Sequence, residues 1–487
     1  LARRLEWDPV DLDQVLERSH GAIPDQVTRD GWAVFRSRER AAALALCDGR
    51  PRVLATGGGT TMDPEVRAAI GAAYRTVWLR APLEVLRARV GEGTGRPAWD
   101  AAVERRYDER AAAYAACEHQ VDADQPVERI VDQIVGWLGI EVPVDSEAGR
   151  YPVVIAPSLA GLRDHLDRRV IVVTESTVGP LWADAVRAEL GDRVVGTVVL
   201  PAGEVNKTVA TWSSCVDQLL GCGVDRDTVV VALGGGVLGD VAGFAASAVL
   251  RGVPVAQVPT TLLAMVDSSV GGKVAVNHPR GKNLIGAFHP PLLVWAATET
   301  LATLPPHELR SGWGEVLKTA LVADPQLLDA IGDDQLPIAR VIERCVRAKA
   351  AVVGADEREH GLRMVLNAGH TVGHALETAH GHGALAHGAA VAIGLVAEAR
   401  FAVARGICVD RDLPDRLDAC RARLGLPDNP PGAELDRLLA AMALDKKTSA
   451  DKIRVPLPVR AGEMSIVELS RADLVELATS VVSPPNR

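Results

Sequence analysis

Residues 228–240 read TVVVALGGGVLGD. The apolar run 228–233 predicts a buried strand, and residues 241–248 predict a helix soon after the glycines. Gly234, Gly236 and Gly239 satisfy the GxGxxG spacing, in which glycines allow a pyrophosphate to approach the backbone at a helix N-terminus. These residues alone therefore predict an α/β domain with a turn suited to a phosphate or a dinucleotide.

The sequence around this turn divides into regions of different periodicity. Apolar runs alternate with helical patterns over residues 151–304, which predicts a parallel-sheet α/β domain. Residues 305–487 carry long Ala, Leu and Val periodicities, as in 391–404, and predict a mostly helical domain. Further elements are predicted as strands at 170–173, 194–200 and 255–258, and as a helix at 209–220.

Residues 1–142 predict a separate, smaller α/β region. Strands predicted at 53–56 and 76–80 alternate with helical patterns, which include the Ala- and Arg-rich stretch 101–116. Three glycines at 57–59 end the first strand, and a structural tight turn explains them nearly as well as a ligand site. The acidic segment 143–150 predicts a linker to the domain that follows.

The composition disfavours several classes of protein. Of 487 residues, 48% are hydrophobic and 24% are charged, as in globular domains rather than disordered chains. No apolar run reaches the roughly 18 residues that span a bilayer, and the net charge of −10 disfavours a nucleic-acid binder. Seven scattered cysteines form no CxxC pair, so we expect free thiols in a reducing cytoplasm. Because the chain opens at Leu1, we also expect that an N-terminal segment is missing.

Lysine is rare and unevenly placed. The chain has 53 basic residues of the Lys and Arg types, and only eight of them are lysine. This preference for arginine predicts that lysine is kept where a compact, titratable ammonium is needed. No lysine precedes Lys207, so the first region lacks the GxxxxGK[ST] loop with which P-loop kinases hold a nucleotide.

Half of the twelve histidines lie between residues 360 and 387. His370 and His374 are four residues apart, which places both imidazoles on one face of a helix, within reach of one metal ion or one substrate. His387 follows in a turn rich in Gly and Ala, and the small residues near these histidines leave room for a ligand. Glu315, on a predicted helix beside a rare lysine, is a candidate carboxylate ligand. The pattern predicts a metal site without identifying the metal.

Two polar, glycine-rich segments, 266–273 and 281–283, lie between apolar stretches and predict loops at strand ends. Together with Arg251, Lys349 and Arg363, their lysines offer cations for a phosphorylated, carboxylated substrate. Solvated surface charge is the alternative for each of these residues taken alone.

From about residue 151 to its end, the chain resembles the 3-dehydroquinate synthase family. The resemblance rests on ordered motifs: 201–207 (PAGEVNK), 234–240 (GGGVLGD), 257–273 (QVPTTLLAMVDSSVGGK), 281–283 (GKN), 314–318 (GEVLK), 366–374 (LNAGHTVGH), 386–388 (AHG) and 445–447 (DKK). Two positions depart from the family pattern, in which an acidic residue usually stands at Ala389 and Asp or Asn often stands at Glu175.

The resemblance implies two cofactors, NAD and a divalent metal, which is zinc in the family, although another ion such as Co²⁺ is an alternative. It places the metal on Glu315, His370 and His387, so that His374 becomes a substrate-binding, proton-relaying residue instead of a ligand. The implied NAD-binding residues are Gly203, Glu204, Lys207, Gly235, Gly236, Gly239, Asp240, Thr260, Thr261, Lys273, Lys282 and Thr303.

The implied catalytic residues surround a small phosphorylated sugar acid. They are Asp267, Lys273, Lys318, Asn367 and His374. Further substrate contacts are implied for Lys282, Asn283, Lys349, Arg363, one of Lys446 and Lys447, and Arg251, which reaches the phosphate from the neighbouring subunit of a homodimer.

The implied reaction converts 3-deoxy-D-arabino-heptulosonate 7-phosphate into 3-dehydroquinate and phosphate, with NAD regenerated in each turnover. Two alternatives stay open at this point. One is a cyclase that acts on another sugar phosphate. The other is an NAD- and metal-dependent polyol dehydrogenase of the glycerol dehydrogenase type, which would release NADH.

The first region resembles shikimate kinase without its beginning. The matching motifs are 11–13 (DLD), 35–36 (FR), 57–59 (GGG), 96–97 (RP) and 110–114 (RAAAY). By resemblance, Asp13, Arg36, Gly58, Gly59 and Arg110 hold shikimate, and Arg96 closes over the nucleotide. We expect the ATP loop upstream of Leu1, so that this part is inactive as given and ATP and Mg²⁺ are cofactors only of a full-length kinase.

Overall fold

The structure is a computed structural model, which describes residues 1–5, 7–50, 52–90, 103–332, 336–359, 361–380, 385–428, 435–444 and 452–482. Arg96, Lys446 and Lys447, three of the residues assigned by resemblance, lie outside this part of the chain. The chain divides into two compact units, an N-terminal unit of Leu1–Leu138 and a C-terminal unit of Gly139–Arg487.

In its described residues, the N-terminal unit contains four short strands in two parallel pairs. They are β1 (Asp8–Asp11) with β2 (Arg52–Ala55), and β3 (Val77–Arg80) with β4 (His119–Asp122). The helices are α1 (Ala2–Leu5), α2 (Leu12–His20), α3 (Ile23–Ala45), α4 (Pro64–Ala73), α5 (Leu83–Val90), α6 (Val103–Tyr114) and α7 (Val127–Leu138). Parallel pairing and intervening helices confirm the predicted α/β class of this region.

The C-terminal unit begins with a seven-stranded sheet and a separate hairpin. The strands are β5 (Ile140–Ser146), β6 (Gly149–Ala156), β7 (Val170–Glu175), β8 (Val194–Leu200), β9 (Val229–Gly234), β10 (Val255–Pro259), β11 (Lys273–His278), β12 (Gly281–Phe288) and β13 (Leu293–Ala297). The sheet order is β5-β6-β13-β10-β9-β7-β8, and all neighbours are parallel except β5 and β6. The helices of this part are α8 (Leu162–His165), α9 (Gly179–Leu190), α10 (Val209–Gly221) and α11 (Gly236–Ala248).

The central strands are buried on both faces, as expected for a parallel sheet between helices. All six residues of β9 are buried. One apolar cluster contains Val186 and Leu190 of α9, and a second contains Leu219 of α10 and Val241 of α11. The sheet therefore fixes the carboxyl ends of β9 and β10, from which the candidate site is built.

The predicted linker at 143–150 is wrong. This segment forms the turn end of the antiparallel hairpin β5–β6, in which Ser146 pairs with Gly149. Val142 and Val144 are buried, while Glu141, Pro143 and Asp145 are exposed. Polar and acidic residues on the exposed face of a period-two strand made the segment resemble a loop.

The two predicted loops, 266–273 and 281–283, differ from the structure where they meet the strands of the hairpin. Lys273 is the first residue of β11, and Lys282 and Asn283 lie on β12. These two strands pair with each other in an antiparallel hairpin. Val274 and Val276 are buried on its inner side, so the two strands have an apolar face despite their polar and glycine-rich ends.

Where the structure describes it, the remainder of the C-terminal unit is mostly helical, as predicted, with one unpredicted hairpin. The helices are α12 (Pro306–Ala323), α13 (Pro325–Ala330), α14 (Ile338–Ala355), α15 (His370–His380), α16 (His387–Ala404), α17 (Leu413–Arg423), α18 (Leu435–Leu444) and α19 (Arg471–Val482). The hairpin is β14 (Lys452–Arg460) with β15 (Glu463–Ser470). Within the described residues, α16 alone is long and apolar enough to cross a membrane, but 78% of it is buried, as in a core helix of a soluble protein.

Candidate active site

The glycine turn has the predicted strand–turn–helix form. β9 ends at Gly234 and α11 begins at Gly236, earlier than the helical pattern indicated. A Cβ on Gly235 would lie 3.1 Å from Thr261 Cγ2, and a Cβ on Gly236 would lie 2.6 Å from Ser268 Oγ. Glycine is needed here because the chain after β10 packs directly on the turn.

Two buried hydroxyls near this turn have no hydrogen-bond partner within the described residues. They belong to Thr260, whose backbone N–H donates to Gly234 O, and to Ser268. The first N–H groups of α11 also lack intrahelical acceptors, and a helix N-terminus favours negative charge. The turn therefore fits the phosphates of a dinucleotide. Thr303 lies in the turn after β13, where its Oγ1 accepts a 2.8 Å hydrogen bond from Nε1 of Trp182.

Lys207 connects the glycine turn to the hairpin β11–β12. Its Nζ lies 2.5 Å from Asp240 Oδ2 and 2.6 Å from Asn283 Oδ1. Burial raises the pKa of Asp240, although the Lys207 ammonium opposes this effect. Asn277, which sequence reasoning missed, donates to Glu204 Oε1 at 2.7 Å.

Gly203 immediately precedes Glu204 in a left-handed backbone conformation, with φ of 97°. Beside this network lies a cavity of about 400 Å³, whose lining includes Glu204, Lys207 and Asn277. The predicted cofactor residues at 203–207 and at 240 therefore converge on one network.

Glu315, His370 and His387 converge from three different helices. Glu315 is fully buried in α12, while His370 and His387 are the first residues of α15 and α16. His387 Nε2 lies 3.1 Å from Glu315 Oε1, and His370 Nε2 lies 3.7 Å from the same oxygen. One ligand atom from each residue falls within 4.8 Å of the others, which is a spacing that can hold a metal ion.

The hydrogen bonds of the two imidazoles leave Nε2 facing the shared carboxylate. His370 Nδ1 lies 3.1 Å from the carbonyl oxygen of Ala368, which can only accept, so Nδ1 carries the hydrogen. Burial lowers the pKa of His370 to about 3, so its ring is neutral. Burial also lowers the pKa of His387, but the adjacent carboxylates of Glu315 and Glu377 outweigh it and raise the pKa to about 10.

The groups around Glu315 keep its buried carboxylate ionised. Burial raises its pKa, but Lys318 and the two imidazoles outweigh this effect and hold the pKa well below its usual range. Neither carboxylate oxygen has a well-oriented hydrogen bond within the described residues. An ionised, fully buried carboxylate with two imidazole nitrogens is a donor set that suits zinc or a similar divalent ion.

Glycines allow the three helices to approach each other. A Cβ on Gly314 of α12 would lie 2.0 Å from the carbonyl oxygen of Gly388, and one on Gly394 of α16 would lie 2.0 Å from that of Gly369. The prediction that small residues leave room for a ligand is wrong for Gly369 and Gly388, where an added Cβ would lie 2.6 Å from Val391 O and 1.7 Å from Ser311 O. Here they are small because helix backbones are in contact.

His374 lies next to the triad on α15. Its ring centroid is 5.1 Å from that of His370, which confirms that the four-residue spacing places the two rings together. His374, Glu377 and His387 form a second group with ligand atoms within 4.8 Å of one another. Sequence reasoning missed Glu377, although its position three residues after His374 places it on nearly the same helix face.

A chain of charged side chains starts at Glu315 and continues through Lys318, Asp267 and Lys349. Lys318 Nζ lies 3.6 Å from Asp267 Oδ1, and Lys349 Nζ lies 2.6 Å from the same atom. Burial raises the pKa of Asp267, but the two ammonium groups outweigh it and lower the pKa to about 2. Burial lowers the pKa of Lys349, although Asp267 opposes this effect.

Lys273 and Asn367 meet at Glu359, a residue that sequence reasoning missed. Lys273 donates to one oxygen of Glu359, and Asn367 Nδ2 donates to the other at 2.7 Å. The backbone of Glu359 is left-handed, with φ of 61°. Arg363 is buried and donates to the backbone carbonyls of Gly271 and Glu357.

Arg251 is exposed just beyond α11, a helix about 20 Å long that begins at the glycine turn. Glu175 accepts hydrogen bonds from the N–H groups of Thr177 and Val178, so its carboxylate caps a turn. Ala389 is buried in α16.

The N-terminal unit has a cavity of about 670 Å³ of its own. Its lining includes all five residues assigned to shikimate by resemblance, namely Asp13, Arg36, Gly58, Gly59 and Arg110. Sequence reasoning missed Glu39, which is buried, pairs with Arg36 and accepts from Thr60 Oγ1 at 2.8 Å. Burial and the carboxylates of Asp11 and Glu39 raise the pKa of Asp13.

The chain matches three protein-family descriptions along its length. Residues 1–139 match shikimate kinase, residues 197–311 match the N-terminal part of 3-dehydroquinate synthase, and residues 312–448 match its C-terminal part. Among curated proteins, it is 46% identical over 324 residues to a 3-dehydroquinate synthase of Pelobacter propionicus, covering 64% of this chain and 90% of that protein. It is 41% identical over 369 residues to a 3-dehydroquinate synthase of Synechococcus sp., covering 71% of this chain and 100% of that protein.

Two solved structures share the fold of the larger unit. One is a 2-epi-5-epi-valiolone synthase from Streptomyces hygroscopicus with NAD⁺ and Zn²⁺ bound, at 31% identity and a TM-score of 0.63, covering 68% of this chain and 96% of that one. The other is a 2-deoxy-scyllo-inosose synthase complexed with carbaglucose-6-phosphate, NAD⁺ and Co²⁺, at 24% identity and a TM-score of 0.64. This match covers 70% of this chain and 100% of that one.

Proposed function

Since the chain belongs to the 3-dehydroquinate synthase family, we propose that its C-terminal unit converts 3-deoxy-D-arabino-heptulosonate 7-phosphate into 3-dehydroquinate and phosphate. The observation that carries the proposal is the position of Lys318. This lysine lies between Glu315, of the candidate metal triad, and Asp267, of the candidate substrate site. The groups that suit a cation and the groups that suit an anionic sugar acid therefore belong to one buried cluster.

The two cofactors have separate places within this unit. The turn Gly235–Gly236, with the unpartnered hydroxyls of Thr260 and Ser268, suits NAD, and the triad Glu315, His370 and His387 suits Zn²⁺ or Co²⁺. When bound, NAD takes up and returns one hydride while the metal polarises the alcohol that is oxidised. No net NADH is formed because the hydride returns to the same substrate.

The residues around these places hold the substrate and move protons. Lys273, Lys349 and Arg363 offer positive charge to the substrate carboxylate and phosphate. Asn367 orients a hydroxyl, and His374, adjacent to the triad, relays the proton of the alcohol being oxidised. Oxidation acidifies the neighbouring C–H bond, so loss of that proton and cleavage of the C–O bond release phosphate. Reduction, ring opening and an internal aldol closure then complete 3-dehydroquinate.

We further propose that two copies form a cytoplasmic homodimer in which Arg251 of one copy contacts the phosphate in the other. Leu250 and Arg251 are exposed and both have left-handed backbones, with φ of 51° and 68°. Such strain in two consecutive residues supports a functional constraint on this turn. Mixing Arg251→Ala protein with an inactive triad variant restores activity only if the arginine acts across subunits.

For the N-terminal unit, we propose that the cavity containing Arg36 and Arg110 binds shikimate. Two guanidinium groups suit a carboxylate, and Asp13 suits ring hydroxyls. ATP and Mg²⁺ belong to this proposal only for a complete kinase.

The synthase proposal is tested by following phosphate and NADH together. The purified chain, loaded with Zn²⁺ and NAD⁺, receives the heptulosonate 7-phosphate. We expect one phosphate per 3-dehydroquinate and no net rise in NADH absorbance. Steady NADH formation from a polyol would indicate a dehydrogenase. Phosphate release only from a sugar phosphate without a carboxylate would indicate a different cyclase, and either result would contradict the proposal.

A further inference from the structure

Glu377 is a buried glutamate on α15 that the proposed reaction does not use. Its Oε2 lies 3.2 Å from His387 Nδ1, and its Oε1 lies 3.1 Å from Lys282 Nζ. Each carboxylate oxygen thus contacts a different element, the start of α16 on one side and strand β12 on the other.

The contact with His387 determines which nitrogen of that ring carries the hydrogen and which nitrogen faces Glu315. An ionised carboxylate can only accept hydrogen bonds, so Nδ1 of His387 carries the hydrogen and Nε2 faces Glu315 Oε1 at 3.1 Å. A histidine that binds a metal usually donates its other N–H group to an oxygen, which fixes the ring and increases its basicity. The ring N–H of His370 donates to the carbonyl oxygen of Ala368, whereas that of His387 donates to a charged side chain.

The contact with Lys282 links the metal triad to the hairpin. Lys282 belongs to β12, which pairs only with β11 among the described strands. The same hairpin carries Lys273 and Asn283, which reach Glu359 and Lys207. A displacement of Glu377 would therefore affect both the orientation of His387 and the position of a hairpin lysine.

We propose that Glu377 is a positioning residue that orients His387 for the divalent cation and simultaneously anchors Lys282 beside it. This inference rests on the proposed function, because it assumes that Glu315, His370 and His387 hold the cation. The second group of close ligand atoms, His374, Glu377 and His387, gives the competing possibility that Glu377 is itself a ligand.

The test measures zinc affinity of the full chain without substrate or NAD, by competition with a chromophoric chelator. Glu377→Gln keeps the shape of the side chain but removes its charge. We expect zinc to bind about 10- to 100-fold more weakly, as is typical when a partner of a metal ligand is changed. The matched control is Glu343→Gln, another buried glutamate, which pairs with Arg347 on α14 and should leave zinc affinity unchanged.

A double variant separates positioning from direct ligation. If Glu377 acts through His387, adding Glu377→Gln to His387→Ala causes no further loss of zinc affinity. An additional loss of tenfold or more in the His387→Ala background, or wild-type affinity in Glu377→Gln alone, would overturn the proposal. If Glu377→Gln does not fold, Glu377→Asp replaces it, because the shorter carboxylate cannot span both partners and should weaken zinc binding similarly.

Lys282→Gln provides the readout for the other contact. It leaves the bond between Glu377 and His387 in place, so we expect unchanged zinc affinity but a KM for the sugar acid raised at least several-fold. An unchanged KM would contradict the anchoring part of the inference. Zinc affinity is measured without turnover. If the Glu377 and His387 variants change zinc affinity as expected but the synthase assay fails, only the proposed function is rejected.

Discussion

Lys318 Nζ lies 2.5 Å from Oε2 of Glu315, and both side chains are buried one helical turn apart on α12. Without the lysine, an ionised carboxylate would lie in the protein interior beside imidazoles of which one is neutral. Burial lowers the pKa of Lys318, but Asp267 and Glu315 outweigh it and raise the pKa, so the ammonium stays charged. Lys318 therefore stabilises the charged form of the candidate metal ligand before any metal binds.

Replacement of Lys318 by Met should destabilise the metal-free protein. Breaking a buried ion pair typically costs about 3–5 kcal/mol, because the remaining charge is left without compensation. Urea unfolding of the C-terminal unit measures this loss. The control is Lys452→Met, whose exposed pair with Glu468 should contribute about 1 kcal/mol or less. Equal stability of the two variants would show that Lys318 does not compensate Glu315.

Gly236→Ala should weaken NAD binding. The new Cβ would lie 2.6 Å from Ser268 Oγ, at the start of the helix where the phosphates are expected. We expect an affinity about tenfold lower, or roughly 1.4 kcal/mol, by calorimetric titration with NAD⁺. Gly221→Ala is the control because nothing lies within 4 Å of its added Cβ. Unchanged affinity in Gly236→Ala would place the dinucleotide elsewhere.

Glu359→Gln should produce a loss of stability that depends on pH. Burial raises the pKa of Glu359, but bonds from Lys273 and Asn367 outweigh it and lower the pKa below its usual value. The stabilisation is therefore complete above the unfolded pKa of about 4.3 and is lost as pH falls through the folded pKa. We expect a difference of about 1 kcal/mol at neutral pH, because the partly exposed Lys273 is screened by solvent, and almost none in strong acid. A constant difference across pH would contradict this account.

Arg110→Met should weaken shikimate binding by the N-terminal unit. Arg110 lines the cavity and lies against Gly58, where an added Cβ would be 2.9 Å from its Nη1. Loss of a charge-assisted pair with a carboxylate should weaken binding about tenfold or more. Arg105→Met on the same helix is the control, since Arg105 is exposed and pairs only weakly with Glu109. Unchanged shikimate affinity in Arg110→Met would exclude this cavity as the site.

The sequence predicted those parts of the fold that depend on local patterns. The apolar runs at 170–173 and 194–200 and the glycine turn at 234–239 became strands and a strand–turn–helix at those places. The hairpin β5–β6 was missed because Pro143 and acidic residues alternate with its buried valines. Local composition alone did not distinguish a half-exposed strand from a loop.

In the candidate site, too, local patterns predicted some residues and missed others. The residues alone offered His370, His374, His387 and Glu315 as candidate ligands, whereas only the resemblance assigned His374 a role other than ligand. Glu377 and Glu359 were missed because acidic residues on helices and turns are common, and nothing local marks those whose partners come from other elements. Lys282 lies 95 positions from Glu377, and Lys273 lies 86 positions from Glu359. Such contacts arise only when the hairpin and the helices are packed together.

The proposed cyclase chemistry requires one divalent cation held by Glu315, His370 and His387. Anomalous diffraction at the zinc edge from crystals of the zinc-loaded protein locates this cation. We expect a single strong peak about 2.0–2.2 Å from Glu315 oxygen and from Nε2 of both histidines. A peak between His374, Glu377 and His387 instead, or none near Glu315, would contradict the account.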